Sequence, residues 1–119
     1  KMKNILLIDD DFIIRELFKR IITDYNLKTL SAFPDIASVN IFDYDLIITD
    51  FNMGAYTGLD VLKYLIEHKY KGAVIVNSGN DNCKEIIENS YYYPLVKAFL
   101  TKTENIITIK NTIKKVLGD

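Results

Sequence analysis

Short apolar runs alternate with amphipathic stretches along this chain, and the change of period between them marks the elements. Residues 5–8 (ILLI) and 46–49 (LIIT) are apolar runs bounded by polar residues, as strands covered on both faces of a parallel sheet are. Residues 73–77 and 98–101 read as two further strands, whereas 27–31 alternates apolar and polar like a less buried edge strand. After the first strand the period becomes helical. Ile14, Leu17, Phe18, Ile21, Ile22 and Tyr25 recur at three and four residues, with Arg15, Glu16, Lys19 and Arg20 on the other face. Asn26 is placed to stop that helix in the left-handed conformation.

Thr57 with Asp60 three residues on predicts a capping box, opening a helix that turns Leu59, Leu62, Leu65 and Ile66 inward and is closed off by Gly72. Residues 34–39 read as a short helix with Pro34 in its first turn. Residues 81–89 read as a helix with Ile86 and Ile87 facing in, interrupted by Tyr91, Tyr92, Tyr93 and Pro94. Thr103 is placed to cap a last helix carrying Ile106, Ile109, Ile113, Val116 and Leu117 on its core face. Five strands alternating with five helices predict an α/β fold, a doubly wound parallel sheet with helices on both sides. Periodicity does not determine strand order, but the pattern is compatible with the flavodoxin-like order 2-1-3-4-5. There the first and third strands are neighbours, and Asp9 and Asp10 come beside Asp50.

Composition narrows the function classes. A chain of 119 residues suits one domain, spanning 1–119, and 49% hydrophobic content argues against disorder. Lys1, ahead of Met2, reads as a cloning remnant and is set aside from fold reasoning. No apolar run approaches the roughly 18 residues of a membrane span. Fifteen basic against sixteen acidic residues give a net charge of −1, which points to neither nucleic acid nor an acidic membrane surface. The single cysteine, Cys83, forms no internal disulfide, and no secretory signal precedes the first strand; a reducing cytoplasm is the expected setting.

The candidate chemistry lies at strand ends. Asp9 and Asp10 follow the first strand, Asp50 the third, Ser78 the fourth and Lys102 the fifth, all at the carboxyl edge where open α/β sheets bind ligands. Clustered carboxylates raise one another's proton affinity unless a cation is present, and an all-oxygen pocket favours a hard ion, Mg²⁺ first. A carboxylate can itself act as nucleophile and form an aspartyl phosphate. Lys102 and Mg²⁺ would then supply charge, Ser78 would donate its hydroxyl to a phosphoryl oxygen, and Gly79 would leave room for the substrate.

With these pieces in place, ILLIDDD, DLIITDFNM, the GL of TGLDVL, VIVNSG and AFLTK make the chain resemble a response-regulator receiver domain of two-component signalling, over essentially its whole length. The resemblance implies that Asp50 accepts phosphate from a sensor histidine kinase or phosphotransfer protein. It implies Asp10 as a direct Mg²⁺ ligand, Asp9 acting mainly through water, and the carbonyl of Asn52 as a backbone ligand. Ser78 matches the switch hydroxyl, Phe99 the aromatic switch and Lys102 the family lysine. Asn52 and Asn80, flanking the attack path, are expected to tune slow autodephosphorylation. The output is binding of a protein or domain rather than catalysis on other substrates. A phosphorylation-dependent dimer through the fourth and fifth helices is an open expectation that no charge or pattern supports.

The chain departs from the family pattern in four places. The segment 33–42 is short, Gly54 follows Met53 where Pro is usual, and the 91–94 region is slightly expanded. Thr103 follows Lys102 where the family has a cis proline, and a trans bond is expected here because a cis bond to Thr costs about 2.5–4 kcal/mol. Two other readings compete. A haloacid-dehalogenase-like phosphatase would use Asp9 and Asp11 as a D-x-D pair with Asp9 as nucleophile, leaving Asp50 unexplained; a receiver-shaped interaction module would not be phosphorylated at all. Asp11 is expected at the helix N-terminus and His68 at a helix end, both favourable with the helix dipole.

Overall fold

A computed structural model of the chain describes residues 2–79 and 82–119. Its main sheet is built from β1 (Asn4–Ile8), β2 (Asn26–Leu30), β3 (Leu46–Thr49), β6 (Ala73–Ser78) and β7 (Val96–Thr101), all parallel, in the order β2-β1-β3-β6-β7. Counted along the chain within this sheet, that is the flavodoxin-like 2-1-3-4-5. A two-stranded antiparallel hairpin, β4 (Asn52–Met53) with β5 (Tyr56–Thr57), stands apart from it.

Alternation along the strands divides the core between two layers. Leu6, Ile8, Ile47, Val74 and Val76 face α2 (Gly58–Glu67) and α3 (Asn82–Glu88), meeting Val61, Leu62, Leu65, Cys83 and Ile87. Ile5, Leu7, Leu46, Ile48, Ile75 and Leu100 face α1 (Phe12–Ile21) and α4 (Ile106–Val116), meeting Phe18, Ile21, Ile109 and Ile113. The apolar runs are therefore buried on both faces, as expected of a covered parallel sheet.

Four α-helices, not five, accompany the sheet among the described residues. The expected helix at 34–39 is instead a 3₁₀ turn, Phe33–Ser38, followed by a second, Ile41–Asp43. Phe33, Ile36 and Val39 stand three apart, the 3₁₀ repeat, so they line up on one face. Ile36 is buried there and Phe33 and Val39 pack against the same cluster.

Other boundaries also moved. Asn26 does not stop α1, which ends at Ile21; it opens β2 and donates its side-chain amide to Asn4 Oδ1 at 3.0 Å. Thr103 is not a cap: Asn105 accepts from Thr108 N at 2.8 Å, while Thr103 Oγ1 lies 3.1 Å from Thr101 Oγ1. Starting α4 two residues later leaves Ile106 exposed rather than in the core. In α3 the inward pair is Cys83 and Ile87, four apart, and Ile86 is exposed. Asp81, the expected start of that helix, lies outside the described residues. The 57/60 capping box is present, with Thr57 N donating to Asp60 Oδ2 at 2.8 Å and Leu59 N to Thr57 Oγ1 at 3.2 Å.

Gly54 explains one departure from the family pattern. It has φ +69° at the first turn position of the β4–β5 hairpin, a conformation closed to proline, whose ring holds φ near −65°. No atom lies near the place a Cβ would take, so only backbone strain opposes a side chain there. Gly54→Ala should cost about 1–3 kcal/mol in urea unfolding, because a positive φ strains a residue that carries a Cβ.

Candidate functional site

Parallel pairing brings the acids together. Ile8 pairs with Thr49 across β1 and β3, and Asp50 N donates to Ile8 O at 2.8 Å, so Asp9 and Asp50 leave adjacent strand ends side by side. Asp9 is fully buried and Asp50 nearly so, while Asp10 is exposed. Carboxylate oxygens of Asp9, Asp10 and Asp50 all lie within 4.8 Å of one another.

Lys102 closes the group from β7. Its Nζ donates to Asp9 Oδ2 at 2.9 Å and stands 3.2 Å from Asp50 Oδ2. The peptide bond that follows it is trans. Burial pulls the ammonium pKa down, but Asp9 and then Asp50 more than offset this and hold it above the ordinary lysine value. Asp50 shifts the other way for an acid: burial first, then the charge of Asp9, push it up to about 6 against the opposing pull of Lys102 and of Phe51 N–H. Phe51 N donates to Asp50 Oδ1 at 2.7 Å.

Backbone contacts hold the frame. Asp9 Oδ1 accepts from Asp11 N at 2.9 Å, and Asp11, the N-cap of α1, accepts from Ile13 N at 2.9 Å. Gly58 at the start of α2 donates its N–H to Phe51 O at 2.7 Å, and a Cβ there would come 3.1 Å from the Phe51 ring and 3.3 Å from Asp50 O. A side chain there would make the Asp50 loop give way by a few tenths of an ångström, which glycine avoids.

Asp10, Asp11, Asp50, Asn52, Ser78, Gly79 and Lys102 line an open cleft of about 370 Å³. The expected Ser78, Gly79 and Asn52 thus meet the acids, whereas Asn80 lies outside the described residues. Phe99 sits in β7 away from the cleft lining, half-buried against the α2/α3 layer, with Lys84 Nζ 5.8 Å from its ring centre. Tyr91 is exposed, Tyr92 packs against the core, and His68 caps α2, its ring stacked on Tyr64 at 3.9 Å.

Three residues were missed in the sequence. Arg15, read only as part of the outer helix face, donates from Nη1 to Asp9 O at 2.8 Å. Thr49, read only as strand, donates its hydroxyl to Asp50 O at 2.8 Å. Asn77 is buried one position before Ser78; an amide ending the run AVIV was the signal for it. Three carboxylates against one ammonium leave excess negative charge in an all-oxygen donor set, which fits a hard divalent cation.

The sequence matches the family model described as response regulator receiver domain over residues 5–114. No curated protein matches it. Among solved structures, a CheY-like response regulator receiver domain protein of Methanospirillum hungatei is 19% identical with a TM-score of 0.85, covering 99% of this chain and 95% of that one. Response regulator TrrA of Thermotoga maritima, in complex with Mg²⁺–BeF, is 26% identical with a TM-score of 0.78 and coverage of 97% and 99%. Chemotaxis response regulator CheY4 of Vibrio cholerae is 21% identical with a TM-score of 0.79 and coverage of 98% and 99%.

The raised Asp50 value sets a pH dependence. As pH rises, the unfolded chain loses this proton near the ordinary value of 3.8 and the folded protein only near 6. The stability Asp50 contributes is therefore complete below about pH 4 and lost as pH rises through 6. In chelator at pH 8, Asp50→Asn should unfold at higher urea than the parent, by about 2–3 kcal/mol, with the advantage fading as pH falls to 4.

Proposed function

Because the chain belongs to the response regulator receiver domain family, we propose that it is a phosphoacceptor switch, with Asp50 as the residue that takes the phosphoryl group. Its donor is a sensor histidine kinase or phosphotransfer protein, and its readers are an output protein or domain. The carrying observation is the meeting of Asp9, Asp10 and Asp50 oxygens within 4.8 Å, with Lys102 bridging two of them.

Asp50 is the acid a phosphodonor can reach. It lines the open cleft, whereas Asp9 is absent from that lining and its side chain is fully buried, which disfavours the phosphatase reading with Asp9 as nucleophile. The Asp50 carboxylate attacks phosphorus in line, the P–N bond to the donor imidazole breaks, and an acyl phosphate forms. Phe51 N–H holds one oxygen of the attacking carboxylate in place. Lys102, charged throughout, meets the negative charge on the transferred oxygens.

Asp9, Asp10, Asp50 and the Asn52 carbonyl are the proposed Mg²⁺ ligands, with Asp9 acting mainly through water. The ion would supply charge neutralisation between the carboxylates and the phosphoryl oxygens. TrrA, 26% identical, was solved with Mg²⁺–BeF, which supports the choice of metal. Ser78, in the cleft lining, is the proposed hydroxyl sensor and Phe99 the aromatic one. Asn52, Gly79 and Asn80 are proposed to tune the lifetime of the acyl phosphate. No helix among the described residues is long and apolar enough to cross a membrane, and a cytoplasmic setting completes the reading.

Incubation with Mg²⁺ and acetyl phosphate, followed by peptide mass spectrometry, should place one phosphoryl group on Asp50. Chelation of Mg²⁺ or Asp50→Asn should abolish it. Label on Asp9 would support the phosphatase, and no label at any Mg²⁺ concentration would support the unphosphorylated interaction module.

A further inference from the structure

The row of side chains that contains Asp9 and Asp50 continues onto β6. Thr49 pairs with Val76 across β3 and β6, so the next position in that register sets Asn77 beside Asp50, on the side opposite Asp9. Alternation sends Asn77 to the layer of Ile75 and Asp50 to that of Ile48, and both isoleucines belong to the core under α1 and α4. Asn77 is 2% exposed, and its Oδ1 has no hydrogen-bond partner among the described residues. A buried acceptor left unpaired is rare in native proteins and calls for an explanation.

Lys102 crosses the end of this strand. It leaves the end of β7 and reaches Asp50 after β3 and Asp9 after β1, so it crosses the end of β6, where its Cγ lies 4.0 Å from the place of a Cβ on Gly79. Among the described residues its ammonium meets Asp9 Oδ2 and Asp50 Oδ2, leaving one of its three N–H donors over. The orphan acceptor therefore stands on the strand next to Asp50, whose Oδ2 the ammonium meets, and no direct hydrogen bond joins Asn77 to Lys102 among the described residues.

We propose that Asn77 is a positioning residue for Lys102, its Oδ1 holding the third N–H of the ammonium through one buried water. Such a water has two polar partners, the minimum that buried waters keep. The link fixes where the lysine head stands when phosphoryl oxygens arrive at Asp50, and so rests on the phosphoacceptor reading above. An apolar residue at 77 would leave the carboxylates in place but free the lysine.

The test uses the full chain with Asn77→Val and Asn77→Leu, which lack the acceptor, and Asn77→Ser, which keeps a hydroxyl and space for water. With acetyl phosphate and saturating Mg²⁺, phosphorylation of the Val and Leu variants should slow roughly fivefold, and that of the Ser variant should stay within about twofold of the parent. Urea unfolding of the parent, Asn77→Val, Lys102→Met and the double variant supplies the readout that separates positioning from packing. The effect of Asn77→Val on the folding equilibrium constant should differ by roughly threefold or more between the two lysine backgrounds. Unchanged rates in both apolar variants, or the same effect in both backgrounds, overturns the proposal. A parent that takes no phosphoryl group on Asp50 overturns the phosphoacceptor reading instead, while the unfolding cycle still reports whether Asn77 and Lys102 are coupled.

Discussion

The ion group of Lys102 with Asp9 and Asp50 is the interaction on which the rest of the site depends. Two carboxylates on adjacent strand ends, both out of water, would each oppose the other's ionisation. The ammonium, 2.9 Å from one and 3.2 Å from the other, offsets part of that repulsion. Burial first, and then the charge of Asp9, still hold the pKa of Asp50 above its ordinary value. A second cation would relieve both effects, and Asp10, exposed beside the pair, adds a third carboxylate that could help to hold it.

The fold serves this group through register. Because β1, β3, β6 and β7 are parallel, their carboxyl ends share one edge, and the pairs Ile8 with Thr49 and Thr49 with Val76 align Asp9, Asp50 and Asn77 in one row. A one-residue slip of β3 would turn Asp50 into the α2/α3 layer and dissolve the site. Buried apolar residues on both faces hold the register. The stability of the core and the geometry of the chemistry are thus the same constraint.

Much of this was legible in the sequence because it follows from period and from position at strand ends. The run 46–49 coincides with β3, and the Thr57–Asp60 box opens α2. Asp9, Asp10, Asp50, Ser78 and Lys102 were all placed at the correct edge. What could not be read is what depends on tertiary context. The spacing of Phe33, Ile36 and Val39 is ambiguous between a short α-helix and a 3₁₀ turn until Ile36 has a core to enter. Thr103 and Asn105 are both acceptable caps, and which one is used depends on where β7 releases the chain. Arg15 reads as solvent-facing by period, yet it reaches back to the Asp9 carbonyl.

The central claim is that Asp50, its acidic neighbours and Lys102 form one site for a phosphoryl group and a divalent metal. Fluorine NMR with beryllofluoride, a phosphoryl mimic, reads that site directly. The account predicts bound fluorine resonances that appear only when Mg²⁺ is present and vanish in Asp50→Asn. Bound resonances that persist in Asp50→Asn, or none at any Mg²⁺ concentration, would contradict it.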